Sequence, residues 1–79
     1  MPKPVQSIAY DKFRRRLVEA RETAGLSQRE VCRRLEMPAT FMTKVESGYR
    51  RMDVMELIAV LQVLGVDPVL FVQGLVDPD

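Results

Sequence analysis

The sequence predicts an all-α fold of five short helices, and three observations predict it. No segment sustains the period-two alternation of apolar and polar residues that marks a half-buried strand. Apolar residues recur at steps of three and four, as in Tyr10, Phe13, Leu17, Ala20 and Ala24, which is helical spacing. Helix start and stop signals then punctuate the chain at short intervals: Ser27 with Glu30, Pro38, Asp53 with Glu56, Pro68, and the glycines Gly25, Gly48 and Gly65. With 79 residues the chain is a single domain, near the lower limit at which one hydrophobic core suffices, so a two-domain enzyme is excluded.

Ser7 caps the first helix, whose single apolar stripe ends at Gly25. The run Leu26-Ser27-Gln28-Arg29-Glu30-Val31 then carries two coupled start signals. Ser27 and Glu30 form a capping box, and Leu26 and Val31 stand in the staple positions that fix the entry angle. The second helix runs to about Leu35. A break at Glu36 and Met37 leads to Pro38, which a first helical turn tolerates because its missing N–H would be unpaired there anyway. The third helix spans roughly Ala39 to Glu46 and stops at Ser47-Gly48. Asp53 and Glu56 repeat the capping box, with Met52 and Leu57 as staple, so a fourth helix reaches Leu64 before Gly65. Pro68 opens a fifth that ends near Gly74. This divides the chain into a flexible arm (1–6), a part carrying the second and third helices (7–51), the last two helices (52–76) and a tail (77–79).

The fourth helix is apolar almost all round: from Val54 to Leu64 only Glu56 and Gln62 are polar. A surface helix of a small domain needs a polar face, so this one is expected to be covered on both sides. Val69, Leu70, Phe71, Val72, Leu75 and Val76 add more apolar surface than so small a domain can hide. The expected consequence is a homodimer through the C-terminal half, with Val69, Leu70, Phe71, Val72 and Leu75 at the interface. Met37, Met42, Met52 and Met55 fall at apolar helix positions and are expected as core filler.

The formal net charge is only +1, yet every one of the 12 Lys and Arg residues lies between Lys3 and Arg51, where six acids oppose them. After Arg51 come five acids and no base. A segment of one sign beside a segment of the other points to an anionic partner for the first alone. The chain has no histidine, so the commonest general base and metal ligand are absent. No catalytic constellation, metal site or cofactor site can be assembled, and the expectation is a non-enzyme. A single cysteine excludes an intrachain disulfide and suggests a reducing, cytoplasmic compartment. The longest uncharged run, Leu57 to Val66, is too short to span a membrane.

Two short helices joined by a tight turn, the second opening with small polar residues and a lysine, form a helix-turn-helix pattern. The stretch from Leu26 to Leu35, followed by Ala39-Thr40-Phe41-Met42-Thr43-Lys44-Val45-Glu46-Ser47-Gly48, resembles the Cro/C1-type (Xre) helix-turn-helix family. The likeness continues through Asp53-Val54-Met55-Glu56-Leu57 to Leu64-Gly65-Val66 and covers about Phe13 to Phe71. It implies a five-helix, lambda-repressor-like DNA-binding domain, similar to compact phage-type repressors and to controller proteins of restriction-modification systems. Two departures stand out. The family often places glycine where this chain has Glu36, so the turn is either distorted or simply non-glycine. Pro38 replaces a small polar cap, which leaves the start of the third helix open.

In this family the third helix lies in the major groove of double-stranded DNA. By position, the resemblance makes Ala39, Thr40, Phe41, Thr43 and Lys44 the base-contacting residues. Lys44 suits guanine O6 or N7, Ala39 a thymine methyl, and Thr40 can donate or accept. Phe41 has a second reading, as a plug for the core. Gln28 resembles the family glutamine that bonds a phosphate and braces the recognition helix. Tyr49, Arg50 and Arg51, just past that helix, are expected phosphate contacts. The run Arg14-Arg15-Arg16 spans all faces of the first helix and is expected to be solvated surface. Arg21 and Glu46 occupy positions where family members form a partly buried ion pair. Together these imply a homodimeric transcription regulator, an autoregulating repressor on a pseudo-palindromic operator. The alternative is an antitoxin or anti-activator of the same fold that grips a second protein partner.

Overall fold

Local capping chemistry sets most of the helix boundaries in the computed structural model, which describes residues 7–77. The expected arm (1–6), the end of the expected tail (78–79) and the capping side chain of Ser7 lie outside the described residues. Five helices follow one another: α1 (Ser7–Thr23), α2 (Gln28–Leu35), α3 (Phe41–Ser47), α4 (Val54–Leu64) and α5 (Pro68–Val76). No strand occurs among the described residues.

Ser27 is extended and its hydroxyl accepts from the Glu30 N–H at 3.0 Å. The return half of that box is not made, because Arg33 and Arg34 take the Glu30 carboxylate. At α4 the box is complete: Asp53 accepts from the Glu56 N–H at 2.7 Å, and Glu56 accepts from the Asp53 N–H at 3.1 Å. The sequence did not single out Asp67, which accepts from the Val69 N–H at 2.8 Å and so caps α5 ahead of Pro68. Gly48 and Gly65 close α3 and α4 with φ of 84° and 74°. The turn after α2 is simply non-glycine. Glu36 adopts φ 55° and ψ 40°, and the bonds Glu36 N–H to Arg33 O and Met37 N–H to Cys32 O complete a Schellman closure.

Two boundaries differ from expectation. α3 begins at Phe41, not Ala39, because the Phe41 N–H bonds the Pro38 carbonyl at 2.9 Å and turns residues 38–41 into a tight lead-in. α5 runs through Gly74 to Val76. A glycine costs only about 1 kcal/mol inside a helix, and a Cβ at Gly74 would stand 2.3 Å from the Arg16 guanidinium.

α1 packs on α3 and α5, α2 on α3 and α4, and α4 on α5. Leu17, Val31, Cys32, Met42, Val45, Val60 and Leu61 are fully enclosed, with Phe41, Leu64 and Phe71 nearly so. Cys32 and Met42 are core, and Met37 and Met52 pack against it. Two expectations about the apolar residues are corrected. Phe71 is 3 % exposed and meets Phe13 edge-on, so it belongs to this domain's core and not to a surface. Met55 is 71 % exposed. α4 is covered as expected along its body, between α2 and α5, where from Leu57 to Leu64 only Gln62 is exposed, while Val54 and Met55 are bare at its start. A helix that is apolar on every face carries no local signal of which face turns inward; packing partners decide it.

Candidate nucleic-acid interface

α3 is short and its phase is set by what it buries. Phe41, Met42 and Val45 enter the core, so Thr40, Thr43, Lys44 and Ser47, at helical spacing, face outward and are exposed, with Ala39 beside them. Of the expected base-contacting residues, Ala39, Thr40, Thr43 and Lys44 share this outer side. Phe41 does not: at 4 % exposure it plugs the core, and a buried ring has no base within reach.

Behind α3 lies a polar brace. The Arg21 Nε donates to Glu46 Oε2 at 2.7 Å and its Nη2 to Oε1 at 3.2 Å, with side chains only 14 % and 7 % exposed. Arg21 also donates to the Leu26 carbonyl at 3.0 Å, pinning the turn that enters α2. Gln28 donates to Glu46 at 2.8 Å and accepts from the Thr43 hydroxyl at 2.9 Å. One glutamine at the start of α2 thus holds both the inner acid and an outward-facing threonine of α3. The hydrogen bond to Glu46 pushes the Arg21 guanidinium still further above its ordinary value, against the opposing effect of burial.

Arg14 and Arg16 are corrections to the expected solvated run. Arg14 donates to the Glu46 carbonyl at 3.0 Å and pairs with Asp11. Arg16 lies 5.2 Å from the Phe71 ring centre. Only Arg15 of the three is exposed. On α2, Arg33 and Arg34 share the Glu30 carboxylate, and their hydrogen bonds lower its pKa to about 2.

Past α3, the Tyr49 and Arg50 N–H groups both bond the Lys44 carbonyl, at 2.9 and 3.1 Å, folding the loop back on the helix end. Tyr49 is 82 % exposed, with the Lys44 ammonium 5.8 Å from its ring centre. Arg51 is exposed and lies 4.7 Å from the Tyr10 ring. Arg50 differs from both. Its guanidinium makes a two-point bond to Glu56 at 2.9 and 2.8 Å and stacks 4.9 Å from the Phe41 ring. The hydrogen bonds from Arg50 hold the Glu56 carboxyl below its usual range. Sequence reading missed Glu56 in this role, as it missed the bond from Arg14 to the Glu46 carbonyl and the Thr43–Gln28 bond, because none of these pairs has a periodic spacing to betray it.

A family profile described as a helix-turn-helix domain matches residues 12–72. Among solved structures, an XRE-family like protein from Pseudomonas syringae pv. tomato str. DC3000 superposes with a TM-score of 0.86 at 34% identity, over 90% of this chain and 87% of that one. The chain belongs to the XRE-type helix-turn-helix family. The matched span contains α2, α3 and the turn between them, so this XRE-type chain carries the helix-turn-helix of a DNA-binding regulator. No curated protein matches it significantly. Among the described residues no single helix is long and apolar enough to cross a membrane.

Proposed function

We propose that the chain is a sequence-specific transcriptional repressor that controls its own gene and binds a pseudo-palindromic operator as a homodimer. The observation that carries this reading is the division of α3 into a buried side and an outer side bearing Thr40, Thr43 and Lys44. With α3 in the major groove, Lys44 donates to guanine, Ala39 packs on a thymine methyl, and Thr40 and Thr43 supply hydroxyls to base edges. Gln28, Tyr49 and Arg51 contact phosphates and set the register. Held by Arg21, Glu46 meets Gln28 from behind and keeps the groove-facing residues in one orientation.

The second half of the proposal rests on α5. Val69, Val72 and Val76 are exposed at steps of three and four on the side opposite Phe71, and Leu70 flanks them, 63 % exposed. No charged residue lies between Pro68 and Val76, so this stripe can meet a second copy of itself without burying a charge. Leu75 packs against the chain's own core and borders the contact. Two copies joined this way present their α3 helices to half-sites about 34 to 36 Å apart.

The bare stripe also favours a second reading, in which it grips a different protein and the chain acts as an antitoxin or anti-activator. Selection of bound sequences from random DNA, together with sedimentation of the purified chain, tests both. A dimer that enriches a palindrome with half-sites one turn apart supports the repressor. A monomer that enriches nothing refutes it.

A further inference from the structure

The side chain of Arg50 is half-buried, whereas those of its neighbours Tyr49 and Arg51 are exposed, and its partners suggest why. From its place in the loop it crosses the Phe41 ring to the first turn of α4, where Nη1 meets Glu56 Oε1 at 2.9 Å and Nη2 meets Oε2 at 2.8 Å. Nη1 also donates to the Arg51 carbonyl at 2.8 Å. Each partner is itself anchored. Phe41 is buried at the start of α3, and Glu56 Oε1 simultaneously accepts from the Asp53 N–H in the α4 capping box. One guanidinium therefore ties together the first residue of α3, the cap of α4 and the backbone of the loop between them.

We propose that Arg50 is a positioning residue in DNA binding: with Glu56 it clamps the loop 48–53 so that Tyr49 and Arg51 are held against the DNA backbone beside α3. The proposal rests on the DNA-binding reading and revises the expectation that Arg50 is itself a phosphate contact. Isolated exposed ion pairs contribute little, but a two-point Arg–carboxylate fork stacked on an aromatic ring has a fixed geometry that lysine does not reproduce. The loop it fixes is coupled to the base-facing helix, because the Tyr49 and Arg50 N–H groups share the carbonyl of Lys44. The sign of one substitution separates clamp from phosphate ligand. Removing the negative charge of Glu56 strengthens attraction to DNA if only long-range electrostatics matter, and weakens binding if Glu56 holds the loop.

The test is fluorescence-anisotropy titration of a mixed-sequence DNA duplex with the full chain over a series of salt concentrations, using Arg50→Ala, Arg50→Lys, Glu56→Gln and the Arg50→Ala/Glu56→Gln double variant. A clamp predicts that Arg50→Ala and Arg50→Lys weaken binding alike, by roughly three- to tenfold, with the wild-type salt slope kept. Glu56→Gln weakens it by a similar factor despite the lost negative charge, and the double variant is no worse than either single one. The clamp is overturned if Arg50→Ala lowers the slope by about one while Arg50→Lys binds as wild type, or if Glu56→Gln leaves binding unchanged or tighter. Thermal melts identify any variant unfolded at the assay temperature; should Glu56→Gln be one, the Arg50→Ala and Arg50→Lys pair decides. Absence of duplex binding by the wild-type chain refutes the DNA-binding reading itself, and the clamp with it.

Discussion

In the half of the chain up to Arg51, most arginines already have a carboxylate or a carbonyl: Arg14 with Asp11, Arg21 with Glu46, Arg33 and Arg34 with Glu30, Arg50 with Glu56. Arg15, Arg29, Lys44 and Arg51 are left turned to solvent. Beyond Arg51 the situation reverses. Val54, Met55, Val69, Leu70 and Val76, all well exposed, have nothing over them. Counting residues along the chain therefore overstates how much positive charge is free to meet phosphate, because folding spends much of it on internal bonds. It identifies the excess of apolar surface correctly but misjudges which side chains make it up, since Phe71 leaves the set and Val54 and Met55 join it.

The largest expected effect comes from breaking the polar brace. Glu46→Ala strands the half-buried Arg21 and removes a partner of Gln28, and should lower stability by about 3 kcal/mol in chemical denaturation; a loss within error of zero would mean that the brace is decorative. On the apolar side, Val69→Asp places an acid in the first turn of α5, where the helix N-terminus tolerates it. The fold should survive while a self-association contact loses about 2 kcal/mol or more. Sedimentation showing an unchanged dimer would move the interface elsewhere. Lys44→Ala is expected to cost roughly 1 to 3 kcal/mol at one operator position and to relax discrimination there; equal losses on cognate and random DNA would make Lys44 a purely electrostatic contact.

The smallest effect separates backbone strain from either surface. Glu36 is the non-glycine residue with positive φ among those described, and Glu36→Gly should raise stability by about 1 kcal/mol, with DNA binding unaltered, because glycine enters the left-handed region without the Cβ clash. A lower melting temperature would mean that the Glu36 side chain contributes more than its backbone costs.

The helix order and most boundaries were legible because capping is local: Ser27, Asp53, Gly48, Gly65 and Pro68 each act on backbone groups within a few residues. The outward placement of Thr40, Thr43 and Lys44 was legible for the same kind of reason, since α3 has polar and apolar positions in helical register. The start of α3 was not, because Pro38 is compatible both with a helical first turn and with the tight turn that precedes Phe41. Arg21 with Glu46 was legible only through the family resemblance.

By itself, then, the sequence determined five helices, a helix-turn-helix and a boundary at Arg51 between a cationic and an acidic, apolar half, all of which follow from short-range hydrogen bonding and periodicity. Tertiary structure alone decided the rotation of α4 and α5, the burial of Phe41 and Phe71, and the pairing of Arg50 with Glu56. Those depend on which surfaces meet in space, and neither an all-apolar helix nor a long flexible arginine carries that information along the chain.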